Sequence, residues 1–423
     1  MADTLILIAG RHPLLRDGGL PSYVRAWGRA AIRAGYEPQI FCAAAKSASE
    51  ATPFGIIHSV RSRFRPFRTI ALPLHARAIA GAIERFAMRR GGRFLVHSFG
   101  SWGGVGAAAA RRLERRGLRC ATAVTPFTTC RHETLGKIAG AAACGGLLSK
   151  VRLRLELAWA RLAVSHSEGR GLRLADRVFV NYASVRRIVS GEFGAGLPFA
   201  KIAYAPETAF LRDAARPCPV PDALAALAPS GAPLILAVSR HDERKGIDVL
   251  LQALALLHRR GTRFRACVAG TGALLKRHRR LAAELGLPES VILPGRIPDA
   301  FDFLAHADIF VLPSIEEGSG SVALLEAMQA GAAPVVSDVD GLPEDVTHGE
   351  SALLVPAGDS AALARALDAL VADAELRARI ARGAQARFRD RFSAGAFAAD
   401  VARAYAGLGF PPTVRQQAKA VTA

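Results

Sequence analysis

The stretch Pro313-Ser314-Ile315-Glu316-Glu317-Gly318-Ser319-Gly320-Ser321-Val322-Ala323-Leu324-Leu325-Glu326-Ala327-Met328 decides how this chain is read. The apolar residues just before it, 309–312, form a buried strand by pattern, and residues 321–330 form a helix. Between them lies a loop of glycine and serine. A strand that ends in small residues before a helix is where parallel α/β sheets hold their ligands. Backbone N–H groups at Ser321, Val322 and Ala323 would face a phosphate. The carboxylates of Glu317 and Glu326 suit the hydroxyls of a sugar and of a ribose. Helix capping and surface charge are the alternative, and the density of small residues at the strand end stands against it.

Outward from this stretch the second half alternates regularly. Residues 234–238, 265–269, 291–293 and 334–336 read as short apolar strands, and 246–260, 274–285, 300–306, 359–371 and 374–391 as amphipathic helices. This is the pattern of a doubly wound domain. Three further motifs fall at its strand ends. Ser239-Arg240-His241-Asp242-Glu243-Arg244-Lys245-Gly246 puts two cations, Arg240 and Lys245, where a helix begins, which suits a diphosphate. Gly270-Thr271-Gly272 lets the backbone approach a ligand closely. Leu293-Pro294-Gly295-Arg296-Ile297-Pro298 could read a nucleobase edge through its backbone. Taken singly, each is equally an ordinary turn.

The first half also alternates. Strands are expected at 5–9, 39–42, 94–97, 121–124 and 177–180, with a helix at 21–33 and another running on from Gly104 to Arg116. Prolines 217, 219, 221, 229 and 233 cluster between the halves and mark a linker. The expected organisation is a Rossmann-like domain at 1–215, a linker at 216–233, a second Rossmann-like domain at 234–395, and a C-terminal helix and tail at 396–423. Two such α/β domains facing a central cleft suit a reaction with two substrates.

Residues 234–393 resemble the donor-binding domain of the retaining GT-B glycosyltransferases, the group 1 or family 4 type. The resemblance rests on Ser239-Arg240 with Lys245-Gly246, Gly270-Thr271-Gly272, and Pro294-Gly295-Arg296-Ile297. Further on it rests on Ala307-Asp308-Ile309-Phe310-Val311-Leu312-Pro313-Ser314, Glu317-Gly318, and Leu324-Leu325-Glu326-Ala327-Met328. It implies that Arg240 and Lys245 bind the donor diphosphate, Glu326 the ribose, and Glu317 the donor hexose, with Ile297 touching the base. One departure is plain. The family's two glutamates are separated by seven residues, whereas Glu317 and Glu326 are separated by eight, so Gly318-Ser319-Gly320 carries one extra residue. In the first half, Gly18-Gly19 matches the family's double-glycine loop near the donor phosphates. His97, in His97-Ser98-Phe99, matches one half of its H-x-H motif and is expected to line the catalytic cleft. His132 is a second candidate.

The charge is lopsided. Residues 1–216 hold 34 Lys/Arg against 13 Asp/Glu, and residues 217–423 hold 22 against 23, so the whole excess of the +20 chain lies in the first half. Such a half invites a polyanion: an anionic membrane surface, an acidic or phosphorylated acceptor, or nucleic acid. No nucleic-acid motif accompanies it, so nucleic acid is not expected. A solvated arginine-rich surface is the alternative. Lys150-Val151-Arg152-Leu153-Arg154-Leu155-Glu156-Leu157-Ala158-Trp159-Ala160-Arg161 mixes bases, leucines and tryptophan as an interfacial helix would. Its leucines also alternate with charge at period two, as in a core element with basic exposed positions.

The six cysteines show neither C-x-x-C nor zinc spacing and read as small buried hydrophobes in a reducing compartment. The N-terminus lacks a basic n-region, and no apolar stretch reaches the ~20 residues of a membrane span. A cytoplasmic protein is expected, peripheral at most at the inner face of the plasma membrane. The reaction implied is transfer of a hexose from a nucleotide diphosphate sugar to a hydroxyl of a glycan or lipid-linked acceptor. Retention of anomeric configuration is expected, without metal or cofactor, in cell-envelope, exopolysaccharide or lipopolysaccharide biosynthesis. The alternative is a degenerate GT-B protein serving as a binding or scaffold subunit.

Overall fold

The computed structural model describes residues 3–14, 19–62, 72–135, 147–213, 218–225, 227, 231–287 and 289–412. The chain divides into two units. One runs to Phe210 and takes up the chain again from Ala394; the other is Leu211–Ser393.

The first unit holds an eight-stranded sheet. Its strands are β1 (Asp3–Ile8), β2 (Gln39–Ala44), β3 (Ala48–Thr52), β4 (Gly55–Arg61), β5 (Arg93–Phe99), β6 (Arg119–Thr125), β7 (Arg177–Val180) and β8 (Phe199–Lys201), in the order β3-β4-β2-β1-β5-β6-β7-β8. All neighbours are parallel except β3 and β4. Central strands such as β1 and β5 are buried along nearly their whole length, because helices cover both faces of a parallel sheet. β3, with the sequence Ala-Ser-Glu-Ala-Thr, is an exposed polar edge. It shows no apolar pattern to read, and its polarity blunts the sheet edge against further pairing.

Helix Ala394–Ala406 returns to the first unit and packs on helix Gly19–Arg33. There Trp27 Nε1 donates to the Tyr405 hydroxyl at 2.6 Å. A C-terminal helix and tail are expected from residue 396; the helix begins at Ala394, and its buried Phe397, Val401 and Tyr405 belong to the first core.

The second unit holds β9 (Leu234–Val238), β10 (Arg265–Ala269), β11 (Val291–Gly295), β12 (Ile309–Leu312), β13 (Ala333–Ser337) and β14 (Leu353–Val355), in the order β11-β10-β9-β12-β13-β14, all parallel. Leu250, Leu254 and Leu257 of helix Ile247–Arg259 pack on Ile235, Val268 and Val311 of the sheet, with Leu363 and Leu367 of helix Ser360–Ala372 in the same core. The proline-rich 218–233 segment falls inside this unit and carries the short helix Asp222–Ala225.

Among the described residues no helix is long and apolar enough to cross a membrane. Cys42 and Cys267 are buried, whereas Cys120, Cys130 and Cys218 are only half-buried, so the expectation of buried hydrophobes holds for two of these five. Cys144 lies outside the described residues.

Candidate functional site

The loops that leave β9, β10, β11 and β12 meet along one edge of the second sheet, and their contacts are mostly backbone to backbone. After β9, residues 239–246 end at Gly246, whose φ of 58° opens helix Ile247–Arg259. A Cβ there would come within 2.0 Å of the Pro313 carbonyl, so only glycine lets this loop close against the end of β12. The Arg244 carbonyl then accepts from the N–H of Ile315 at 2.7 Å and of Glu316 at 3.1 Å.

After β10, Gly270 has a φ of 138°, and a Cβ would meet the Ser239 carbonyl at 1.7 Å. Gly270 N–H donates to the Gly295 carbonyl at 2.8 Å, which ties in the loop after β11. His241 N–H bonds the Thr271 carbonyl at 3.0 Å. Four sequence motifs, each weak alone, are thus one connected surface.

The charged centre of that surface is Lys245 with Glu317. Lys245 Nζ lies 2.6 Å from Glu317 Oε1, and the Ser314 hydroxyl donates to the same oxygen at 2.6 Å. Both side chains are nearly buried, at 14% and 5% exposure. Asp340 fixes the backbone beside them. Its Oδ2 accepts from the N–H of Glu317 and of Gly318, both at 2.7 Å. Asp340 has a φ of 52°, a conformation that costs a non-glycine residue energy and marks a locally over-determined site. The loop with the extra residue is therefore held on both sides of Glu317: its carboxylate by Lys245 and Ser314, its backbone by Asp340.

Arg240 projects differently. It is 64% exposed and pairs with Asp242 at 3.2 Å. Ser321 caps helix Val322–Ala330 without a side-chain capping bond. Val322, Ala323 and Glu326 are partly exposed, as are Ile297, Gly270 and the more open Gly272. Next to Arg240 in the chain, the buried His241 has its Nδ1 2.9 Å from His278 Nδ1. Burial lowers the His241 pKa to about 4 and lowers that of His278 as well, so a neutral pair supports the loop.

The first-unit candidates are placed otherwise. Gly18 lies outside the described residues. Gly19 opens helix Gly19–Arg33, exposed, with nothing within 4 Å of where a Cβ would stand. His97, expected to line a cleft, is completely buried. Its Nδ1 lies 2.9 Å from the Tyr405 hydroxyl and its Nε2 lies 2.7 Å from Thr125 Oγ1, so both nitrogens are engaged. Trp27 and Phe99 pack around the ring, and desolvation lowers its pKa to about 3. His97 is a satisfied core histidine, because β5 is covered on both faces. His132 is half-buried, with its N–H on Thr129 Oγ1 at 3.1 Å.

Sequence reasoning missed Ser314 and Asp340 as partners of Glu317. The Asp340-Gly341 pair after β13 is a turn signal, but nothing local says which backbone the carboxylate will hold.

Residues 225–387 match the family model described as Glycosyl transferases group 1. Over 146 residues the chain is 40% identical to the putative colanic acid biosynthesis glycosyltransferase WcaL of Salmonella typhimurium, covering 32% of this chain and 36% of that protein. It is 39% identical over 157 residues to the phosphatidyl-myo-inositol mannosyltransferase of Mycobacterium leprae, covering 36% and 41%. It is 33% identical over 165 residues to the lipopolysaccharide core biosynthesis glycosyltransferase LpsE of Rhizobium meliloti, covering 39% and 47%. The chain spans less than half the length of each of these relatives. Among solved structures, the sucrose-phosphate synthase of Thermosynechococcus elongatus aligns with a TM-score of 0.72 at 23% identity, over 96% of this chain and 99% of that one. HepE of Anabaena, solved with UDP, aligns with a TM-score of 0.67 at 17% identity over 96% and 100%. The second unit is thus a group 1 glycosyl transferase domain, and the chain has the GT-B fold of two parallel-dominated α/β sheets.

Proposed function

We propose that this chain is a retaining hexosyltransferase that uses a nucleotide diphosphate sugar. The observation that carries the proposal is the connected edge of the second sheet, where Lys245, Glu317 and Ser314 are held by a loop that Asp340 clamps. Such a fixed set of charges and backbone N–H groups stabilises developing charge without reorganisation, which is the main catalytic term available to an enzyme of this kind.

In this reading the leaving diphosphate is met by Arg240, Lys245 and the N–H groups that open helix Val322–Ala330. Glu326 accepts from the ribose hydroxyls, Ile297 touches the base, and Gly270 and Gly272 keep the floor of the site low. Glu317 faces the hexose. The acceptor hydroxyl attacks the anomeric carbon on the face the diphosphate leaves. The C–O bond to phosphate breaks, the new glycosidic bond forms, and the hydroxyl proton passes to the departing phosphate oxygen, with retention. No metal is called for, since the cations named can meet the charge. HepE has been solved with UDP-glucose, which favours a uridine nucleotide as the first donor to try. The names of WcaL and LpsE favour a glycan or lipid-linked acceptor in exopolysaccharide or lipopolysaccharide assembly.

The test is a panel of UDP- and GDP-sugars read by thermal stabilisation, then by NMR of the product's anomeric configuration. One nucleotide series should raise Tm, and its sugar should be transferred with retention. Stabilisation without transfer to any glycan or lipid-linked hydroxyl would leave a binding subunit instead; an inverted product would overturn the retaining assignment.

A further inference from the structure

Helix Leu147–Trp159, the π turn Ala160–Val164 and helix Ser165–Leu174 run on as one helix of the first unit. Its far end is seated on helix Gly103–Arg115 through Gly171, where a Cβ would come within 2.1 Å of Gly103 backbone. The near end is different. Val151, Leu155 and Trp159 follow one another at four-residue steps, the spacing of one helical face, and Leu162 comes three residues later. All four are exposed, Leu155 at 66% and Leu162 at 80%. The period-two alternation in the sequence is incidental; the helical spacing is the one the structure realises.

Among the described side chains of this helix, the exposed charged ones are uniform in sign. Arg154 and Arg161 are exposed beside the stripe, and Arg170 and Arg173 are exposed further along. The helix's two carboxylates are withdrawn: Glu156 is half-buried and Glu168 is buried, where desolvation raises its pKa to about 8. Among its described side chains, then, no exposed position is acidic.

We propose that this face docks on an anionic lipid bilayer. Leucine and tryptophan at the headgroup boundary bury apolar surface, while the flanking arginines meet lipid phosphates. A second copy is the poorer occupant, because a two-fold contact through the stripe would set the arginines of both copies against one another. Nucleic acid would take up the arginines but leave Leu155 and Leu162 with nothing to bury them. The helix belongs to the first unit and the donor loops to the second, and its test reads binding rather than turnover.

Of the three tryptophans, Trp27 and Trp102 are buried and Trp159 is exposed, so a change in emission on binding reports Trp159. The full chain is mixed with phosphatidylcholine vesicles, with or without phosphatidylglycerol. Co-sedimentation and a blue shift are expected with the anionic vesicles alone, fading as salt rises. Trp159→Phe should keep the binding and lose the shift. Leu155→Glu with Leu162→Glu should abolish binding, and Arg154→Gln with Arg161→Gln should weaken it about fivefold per arginine. These side chains are on the surface, so the variants should melt as the parent does. No co-sedimentation at low salt overturns the proposal, as does undiminished binding by the double glutamate variant. It also fails if that variant merely dissolves a dimer, or if an oligonucleotide binds in place of vesicles.

Discussion

Lys245 Nζ and Glu317 Oε1 lie 2.6 Å apart and join two loops 72 residues distant in the chain. A nearly buried pair of this kind is costly to halve, since the remaining charge loses its partner and stays out of water. Removing either side chain should therefore cost about 3 kcal/mol of stability. Chemical denaturation of Lys245→Ala, Glu317→Ala and the double variant tests this: the double variant should be less destabilised than the sum of the singles. Strict additivity would mean that the two charges do not interact.

Arg240 gives the contrasting case. It is exposed, so Arg240→Ala should melt as the parent does. Its loss should still lower kcat/KM for a nucleotide sugar by about ten- to a hundredfold, the worth of one charge-assisted hydrogen bond to the diphosphate. Unchanged kcat/KM would remove Arg240 from the donor site.

Asp340 holds the Glu317 loop by accepting two backbone N–H groups while itself paying backbone strain. Asp340→Gly relieves the strain and loses the acceptor; Asp340→Asn keeps an acceptor oxygen. Turnover should fall with glycine, by about tenfold or more, and be largely rescued by asparagine, with little change in Tm for the latter. Equal loss in both variants would assign Asp340 to charge rather than to positioning.

Glu326→Ala should weaken binding of the free nucleoside diphosphate by about tenfold, since one carboxylate can accept from both ribose hydroxyls. Isothermal titration decides it, and unchanged affinity would place the ribose elsewhere.

His97 predicts a pH dependence of stability rather than of chemistry. Its pKa is about 3 in the fold against 6.5 in the open chain, and His241 falls to about 4 in the same way. Between those values the unfolded chain binds more protons, so stability rises with pH up to about 6.5 and levels off above it. Urea midpoints should fall steadily from pH 6.5 toward 4. His97→Phe should lower Tm yet leave the proposed transfer by the folded protein within a few-fold of the parent. A stable but inactive His97 variant would return that histidine to the chemistry.

The second unit was legible in the sequence because its signals are local. Residues 234–238, 265–269 and 309–312 are apolar runs set by burial on both sheet faces, and glycines 246 and 270 sit where the backbone must turn or approach closely. Strand, turn and helix signals of that kind lie within a few neighbouring residues, and their order alone revealed the family. Whether His97 faces inward is another matter. β5 is buried on both faces along nearly its whole length, so periodicity carries no direction there. Its partner Tyr405 arrives from 308 residues away. The same holds for Lys245 on Glu317, for Asp340 on the loop beside them, and for the return of helix Ala394–Ala406 to the first unit. The sequence by itself determined which short segments turn, pair and carry charge; only tertiary structure decided which distant side chains those charges meet, because that depends on the packing of elements far apart along the chain.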